Sequence, residues 1–398
     1  MAAVHPISRA WISTGGTGAR NYDEFADDAE ITEIISANPD SALAIEMPHL
    51  APGSLGKSFD NALADAVVRL TRQRDDGSYA PAEDVVGLYR ISEPGGPDAY
   101  GMFAMVDTDQ ISTSADEPGL VIRNEDVFPE KVRERVALAD ATRYLLSPVL
   151  LLQTAAGPAL HTALAAAADA AGAPAAVDTD HVGRTHAVWP LPAAAAAELL
   201  ALAGSGELVV ADGNHRSLAA QTAGLRRFLA VVTTPGSVTI QPYHRLVTEL
   251  PLPIDEVVAQ LIAAGATVES VPPGLPSQGT VHLYAQDRTF AVRLPSPGSA
   301  SFVDRMDHAQ VERILVRGVL RLDPGDKRIA YVGGDYPPRW LMDEVDAGRA
   351  ELAVLIAPVT VEEFVEVNLA RQKMPRKSTW FPPKARAGLV LADLAAEA

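Results

Sequence analysis

The stretch ELVVADGNHRSLAAQTA, residues 207–223, decides the fold class of this chain. Its apolar run predicts a buried strand, and the alanine-containing run from Arg216 onward predicts a helix. Between them, residues 212–215 predict a tight turn in which Gly213 permits positive φ or a close backbone approach. A strand, a turn and a helix in this order indicate an α/β fold. The same arrangement presents helix N–H groups and the positive end of a helix dipole at the turn, which favours an anion there.

Two side chains exceed what a structural turn needs. Arg216 has the fork to grip a phosphate bidentately, and His215 has a ring nitrogen to donate to an oxygen or to act as acid or base. In the alternative interpretation, Asp212 and Asn214 cap the helix, and His215 and Arg216 are solvated or satisfy core carbonyls. The residue types alone leave both interpretations open.

The bulk composition limits the classes of partner. The 398 residues allow two packed domains or one large one, and 47% hydrophobic residues supply a core. A formal charge of −18 argues against nucleic-acid or anionic-membrane binding, so any phosphate site has to be a local cationic pocket. The absence of cysteine excludes disulfides, thiolate metal sites and cysteine nucleophiles, and fits a cytoplasmic protein. We see no signal-peptide pattern and no apolar run that could span a bilayer, and we therefore expect no membrane contact.

Strand and helix patterns alternate along the rest of the chain. Alanine-rich runs at 159–176 and 193–203 predict helices, and two hairpins are expected at residues 83–111 and 280–295. Thr360, with Glu363 at the capping-box position, is expected to cap a further helix. A Pro-bounded helix followed by a loop, between Thr248 and Pro276, gives the best internal boundary. The predicted domains are therefore residues 1–248, with the Asp-Gly-Asn-His-Arg turn, and residues 249–398.

Two further clusters carry polar chemistry. The segment MPRKSTWFPPKARAGL, residues 374–389, concentrates Lys377 and Lys384 with other basic residues, but it lacks the glycines of a P-loop. The segment VIRNEDVFPEKVRERV, residues 121–136, places Glu125 before a helix that opens at Pro129, where a carboxylate can accept a proton or hold magnesium. Both segments are also compatible with solvated turns. The glycines of STGGTGARNYDEF, residues 13–25, do not complete a dinucleotide-binding fingerprint.

Taken in order, these segments resemble a bacterial and archaeal family known as domain of unknown function 1015, whose signature is a strand, ADGHHR and a helix. The matching segments here are NYDEF, SANPDSAL, RNEDVFPEKVRERV, ADGNHRSLAA, DKRIAYVGG and MPRKSTWFPPKARAGL, which span about residues 5–392. The family's loop is similar to the nucleotide-phosphate loop of the ParB/sulfiredoxin superfamily, which includes a kinase for free serine. The resemblance implies an α/β fold (α+β mixed), with a ParB/sulfiredoxin-like nucleotide-binding core and N-terminal and C-terminal α/β elaborations.

The resemblance also implies roles for individual residues. Glu125 would be the base, Asp212 would orient the loop or hold Mg²⁺, and His215 would join them in catalysis. The nucleotide, ATP or ADP, would contact the loop and the C-terminal cluster through Gly213, Asn214, His215, Arg216, Ser217, Lys377, Ser378, Thr379 and Lys384.

The chain departs from the family at Asn124 and Asn214, where histidine is usual. Each exchange removes an ionisable imidazole and keeps a polar group. We expect a cytoplasmic nucleotide-dependent phosphotransferase that acts on a small hydroxylated metabolite such as serine. The alternatives are a phosphate-ester hydrolase in the same pocket and a nucleotide-binding regulatory module without turnover.

Overall fold

The computed structural model describes residues 3–22, 24–25, 27–112, 119–123, 129–295, 298 and 301–397. The chain divides into two compact units. The first comprises Met1–Val238 with Pro383–Ala398, and the second comprises Thr239–Pro382. The predicted boundary at 248/249 lies ten residues after the boundary between the two units in the structure. The prediction also places residues 383–398 in the second domain, whereas they belong to the first unit.

The chain forms strands and helices in alternation. The strands are β1 Val4–His5, β2 Ile7–Ser13, β3 Tyr79–Ser92, β4 Ala99–Asp107, β5 Ile111–Ser112, β6 Val121–Ile122, β7 Tyr144–Leu145, β8 Val149–Gln153, β9 Ala176–Thr179, β10 Thr185–Pro192, β11 Leu208–Asp212, β12 Arg227–Thr233, β13 Tyr243–Val247, β14 Thr267–Ser270, β15 Val281–Ala285, β16 Arg288–Arg293, β17 Ile329–Gly333, β18 Leu352–Ile356 and β19 Val390–Asp393. The helices are α1 Asp28–Ala37, α2 Leu43–Glu46, α3 Phe59–Asp75, α4 Pro129–Thr142, α5 Gly157–Ala170, α6 Ala197–Ala203, α7 Asn214–Thr222, α8 Ile254–Ala263, α9 Phe302–Arg305, α10 Asp307–Gln310, a π-helix Val311–Val319, α11 Pro338–Asp346 and α12 Val361–Leu369. Single 3₁₀ turns lie at Pro48–Leu50, Thr108–Gln110 and Pro235–Ser237.

The first unit is built on one mixed sheet in the order β5-β6-β11-β8-β12-β4-β3-β2-β19-β7, with β1 on β4 and β10 joining β3 to β9. Strand β11 lies between β6, to which it is parallel, and β8, to which it is antiparallel. This central position explains why residues 208–211 are all apolar and buried. Helices α5 and α6 contribute to one apolar core against the sheet, and α1, α2 and α3 contribute to another. The polar turn therefore begins at the carboxyl end of β11, a strand with a neighbour on each side in a sheet that helices cover.

The second unit has its own sheet, in the order β14-β16-β15-β18-β13-β17. Helix α8 and the π-helix pack their apolar residues onto this sheet to form a separate core. The expected hairpin of β15 and β16 is confirmed, and so is the capping box of α12, in which Thr360 and Glu363 exchange hydrogen bonds. Residues 267–270, expected as a loop, instead form β14 opposite β16. The short exposed strand escaped detection because only Val268 in it is large and apolar, and a strand this short gives almost no alternation.

The other expected elements of the first unit are also present. The hairpin of β3 and β4 is confirmed, as are helices within both alanine-rich runs. The α/β fold class is therefore confirmed by the elements themselves. No helix in the described part of the chain is long and apolar enough to cross a membrane.

Candidate phosphate-binding turn

The turn between β11 and α7 is made by one glycine. Gly213 has φ 96° and ψ 30°, the left-handed conformation that glycine adopts without a steric penalty. A Cβ atom there would also lie 3.1 Å from Arg216 Nε and 3.2 Å from Val149 Cα. Helix α7 begins at Asn214, two residues earlier than expected, and its N-cap is Gly213 without a side-chain cap bond. The interpretation in which Asp212 and Asn214 cap the helix is therefore wrong.

Arg216 holds the turn together from inside. Its Nη2 donates to Asp212 Oδ2 at 2.6 Å, and its Nη1 donates to Asn21 Oδ1 at 3.0 Å and to the carbonyl of Pro148. The residue is only 7% exposed. A buried guanidinium needs such partners, and here they come from three separate segments of the first unit. In this structure, Arg216 positions the turn.

Lys384 is the second cation at the turn. Its Nζ lies 2.6 Å from Asp212 Oδ1, so the Asp212 carboxylate bridges Lys384 and Arg216. The side chains of Lys384 and Asp212 are 12% and 18% exposed. The structure thus brings Lys384, one of the predicted nucleotide contacts, to the turn, and its contact with Asp212 lies within the first unit.

Asn21 belongs to this network and was not predicted as a site residue. Besides accepting from Arg216, it donates from Nδ2 to Glu24 Oε1 at 2.7 Å and to the carbonyl of Ala385 at 3.2 Å. It thus joins the turn to the segment that carries Lys384. Its only signal in the sequence was its place in the family-like segment NYDEF.

A second chain of hydrogen bonds fixes the backbone beside Lys384. The N–H of Arg386 donates to Tyr89 Oη at 3.3 Å, and Tyr89 Oη lies 2.5 Å from His186 Nδ1. His186 Nε2 lies 3.3 Å from Asp180 Oδ2. Burial opposes ionisation of Asp180, but the hydrogen bonds from His186 and from the backbone of Arg184 lower its pKa to about 2. Burial also lowers the pKa of His186 and raises that of Tyr89, so both side chains stay neutral. The neutral imidazole donates from Nε2 to Asp180 and accepts at Nδ1 from the Tyr89 hydroxyl.

The other predicted residues of the loop are buried in α7. Asn214, His215 and Ser217 are each at most 5% exposed. Ser217 Oγ donates to the carbonyl of Asn214 at 3.0 Å, so its hydroxyl serves the helix. The side chains of these three residues therefore lie inside the first unit and not on its surface.

Lys377, Ser378 and Thr379 belong to the second unit, where a buried arginine shapes their backbone. Arg245 donates from Nη1 to the carbonyl of Lys377 at 3.0 Å, and Lys377 has φ 50°. Lys377 Nζ lies 5.3 Å from the centre of the Tyr243 ring, while Ser378 is buried. The segment MPRKSTWFPPKARAGL is thus divided between the units, with Lys384 in the first and Lys377 in the second.

Two predicted residues cannot be placed. Glu125, the candidate base, and Asn124 lie outside the described residues. Among the residues that the structure does describe, no group of three or more His, Asp or Glu side chains could hold a metal ion. Asp212, the predicted magnesium ligand, has one cation on each carboxylate oxygen.

Comparison with known structures finds similarity at low identity. A free serine kinase (E30Q mutant) in complex with AMP matches with 13% identity and a TM-score of 0.41, covering 70% of this chain and 87% of that chain. A conserved hypothetical protein from Pyrococcus furiosus matches with 14% identity and a TM-score of 0.39, covering 72% and 95%. SbnI from Staphylococcus aureus, with a C-terminal truncation, matches with 14% identity and a TM-score of 0.41, covering 74% and 88%.

No curated protein sequence matches the chain. A family model does match, over residues 17–314, and its description is protein of unknown function (DUF1015). The match includes the segment ADGNHR and stops before the segment with Lys377 and Lys384. Because the match covers most of the 398 residues, the chain belongs to the DUF1015 family.

Proposed function

We propose that the chain is a nucleotide-dependent phosphotransferase that acts on a small hydroxylated metabolite, with serine or a serine-like amino acid as the first candidate. One observation carries the proposal: Lys384 and Arg216 converge on Asp212 beside the Gly213 turn, at the N-terminus of α7. Phosphoryl transfer is catalysed largely by positioning the phosphates and neutralising their charge. This turn concentrates cations in a chain with a formal charge of −18.

The residues present fit a nucleotide phosphate in two respects. Gly213 adopts the left-handed conformation from which α7 begins, and the backbone N–H groups of the first turn of α7 favour a phosphate. Lys384 is a point charge on a flexible stem, so it can transfer from Asp212 to a phosphate oxygen. Arg216 would then remain on Asp212 and keep the turn in shape. We therefore assign phosphate contact to Gly213 and Lys384 and positioning to Arg216.

The remaining predicted roles are parts of the same proposal. In the reaction, the substrate hydroxyl oxygen forms a bond to the terminal phosphorus of ATP or ADP, the bridging P–O bond breaks, and the hydroxyl proton passes to Glu125. His215 would donate to a phosphate oxygen, supported by Asn214 and Ser217. Lys377, Ser378 and Thr379 would supply further phosphate contacts. Mg²⁺ would supply charge neutralisation at the phosphates, but Asp212 does not fit as its ligand while both of its oxygens bind cations.

A second candidate function is a nucleotide-binding regulatory module without turnover. It is favoured by Asn214, which replaces the imidazole usual in the family with a side chain that cannot exchange a proton near neutral pH. This candidate keeps the same phosphate contacts and differs only in the absence of a product.

The experiment that tests the proposal combines binding with product analysis. The full chain is incubated with Mg²⁺ and ATP or ADP, with and without L-serine, and phosphoserine is followed by ³¹P NMR. We expect phosphoserine only with nucleotide and substrate together, and loss of nucleotide affinity in Lys384→Met. The matched control is Lys57→Met, which removes an exposed lysine of the same unit that also pairs with an aspartate. Binding without product over a panel of hydroxy amino acids would favour the module, and release of phosphate from phosphoserine without nucleotide would favour the hydrolase. Absence of nucleotide binding would reject the proposal.

A further inference from the structure

We infer that Arg135 is the carboxylate-binding residue of a small apolar pocket in the first unit, and that the ligand is a short-chain molecule with a single carboxylate. The pocket has a volume of about 50 Å³ and lies against α4 and α7. Most of its lining is apolar. The polar side chains in the lining are those of Glu46, Arg135, Tyr144, Ser147 and Arg216. The site does not depend on the proposed function.

Arg135 is a buried cation with unused donors. It lies on α4 and is 7% exposed. Its Nη2 donates to the carbonyl of Glu46 at 3.0 Å and contacts Met47 Sδ at 3.8 Å. Among the described residues, no hydrogen-bond acceptor serves its Nε or its Nη1. Burying a guanidinium costs free energy when two of its N–H groups lack an acceptor, and a ligand carboxylate would accept hydrogen bonds from both groups.

The guanidinium is also held in place. Its Cζ lies 4.0 Å from the centre of the Tyr22 ring and 5.2 Å from that of Phe59. Both distances lie in the range of a cation–π interaction, so two aromatic rings hold the guanidinium. Arg135 is therefore already ordered before a ligand arrives, which reduces the entropy cost of binding.

The lining selects the size and charge of the ligand. A volume of about 50 Å³ holds roughly three to five groups the size of a water molecule, which suits an acid with two or three carbons. Leu146 and Phe228 are among the apolar residues that would cover its body. Glu46, whose Oε1 accepts from Ser147, places one negative charge at the same pocket and so disfavours phosphate and dicarboxylates.

Two kinds of molecule share this chemistry, a simple carboxylic acid and a small α-amino acid, and the probes distinguish them. Binding of propionate, L-alanine, ethylamine and inorganic phosphate to the full chain is measured by calorimetry and thermal shift, without nucleotide. We expect binding of propionate, of L-alanine or of both. L-alanine alone would indicate that Glu46 takes the ammonium, and propionate alone would indicate that it does not. Binding of neither, or binding of phosphate or ethylamine in their place, would overturn the inference.

Variants at α4 complete the test. Arg135→Met should weaken binding of the carboxylate probe by at least about tenfold, because a charge-assisted hydrogen bond is lost. The control is Arg133→Met on the same helix, since Arg133 is exposed and pairs with Asp60 at the surface. If Arg135→Met does not fold, Arg135→Lys keeps the charge and removes the fork, and weaker binding is still expected. Wild-type affinity in a folded Arg135 variant would overturn the inference even if nucleotide binding and phosphotransfer are intact.

Discussion

Replacing Lys384 by methionine tests whether the ion pair with Asp212 determines the stability of the turn. The Nζ–Oδ1 distance is 2.6 Å, and both side chains are more than four-fifths buried, so the pair is poorly screened by water. A hydrogen bond to a charged group contributes about 1.5–3 kcal/mol. Because Arg216 still neutralises Asp212 after the change, we expect a loss near the lower end, about 2 kcal/mol.

The measurement has to report on the first unit alone. Native-state hydrogen exchange, read by mass spectrometry on peptides from β11 and α7, gives the free energy of opening in this region. A double-mutant cycle of Lys384→Met with Asp212→Asn then isolates the pair from the rest of the network. We expect a coupling energy of at least about 1 kcal/mol.

The control pair is Lys57 and Asp65, which has the same chemistry at the surface. These side chains are 41% and 31% exposed, and exposed pairs are worth about 1 kcal/mol or less. The cycle of Lys57→Met with Asp65→Asn should therefore show a smaller coupling energy. Equal coupling for the two pairs, or none for Lys384 and Asp212, would refute the argument that burial strengthens the pair at the turn.

Three other changes give direct tests of the structure. Burial, with a smaller effect of a neighbouring arginine, lowers the pKa of His244 to about 4, so the folded state keeps this side chain neutral. The free energy of unfolding should therefore fall by about 3 kcal/mol as the pH drops from 6.5 to 4. Urea titrations of His244→Asn should lack this part of the fall. Gly333→Ala would place a Cβ 2.3 Å from the Trp380 ring and should destabilise the second unit by about 1–3 kcal/mol with a change in tryptophan fluorescence, while Gly274→Ala, with open space around it, should do neither. Thr360→Ala removes the cap of α12 and should cost about 1 kcal/mol in denaturant unfolding; an unchanged midpoint would mean that the cap contributes nothing.

The sequence predicted local structure well where the signal is local. The strand that ends at Asp212, the left-handed glycine after it and the helix that follows are each consequences of a few neighbouring residues. The cap at Thr360 is another case. The start of α7 was misplaced because Asn and His are poor helix formers, whereas in the folded chain both are buried in the first turn.

The partners of Arg216 could not be predicted from the residues around it. Asn21 lies 195 residues away, and Lys384 reaches the shared carboxylate of Asp212 from 172 residues away. No periodicity links such positions. The basic residues of segment 374–389 drew attention to Lys384, but only the family resemblance singled out NYDEF and connected both segments with the turn. The alternative in which Arg216 satisfies core carbonyls is matched in part by its hydrogen bond to the carbonyl of Pro148, but its bonds to Asn21 and Asp212 were not predicted.

The return of the chain at residue 383 makes the second unit an insertion in the first. Strand β19 pairs with β2, so the first sheet is complete only after residues 390–393 have been synthesised. The inserted unit begins and ends side by side, since the N–H of Thr239 donates to the carbonyl of Pro382 at 3.0 Å. A chain in which a short linker replaces residues 239–382 would therefore keep every residue of the first unit, including Lys384, whereas a chain cut at residue 248 would lose β19 and Lys384 together.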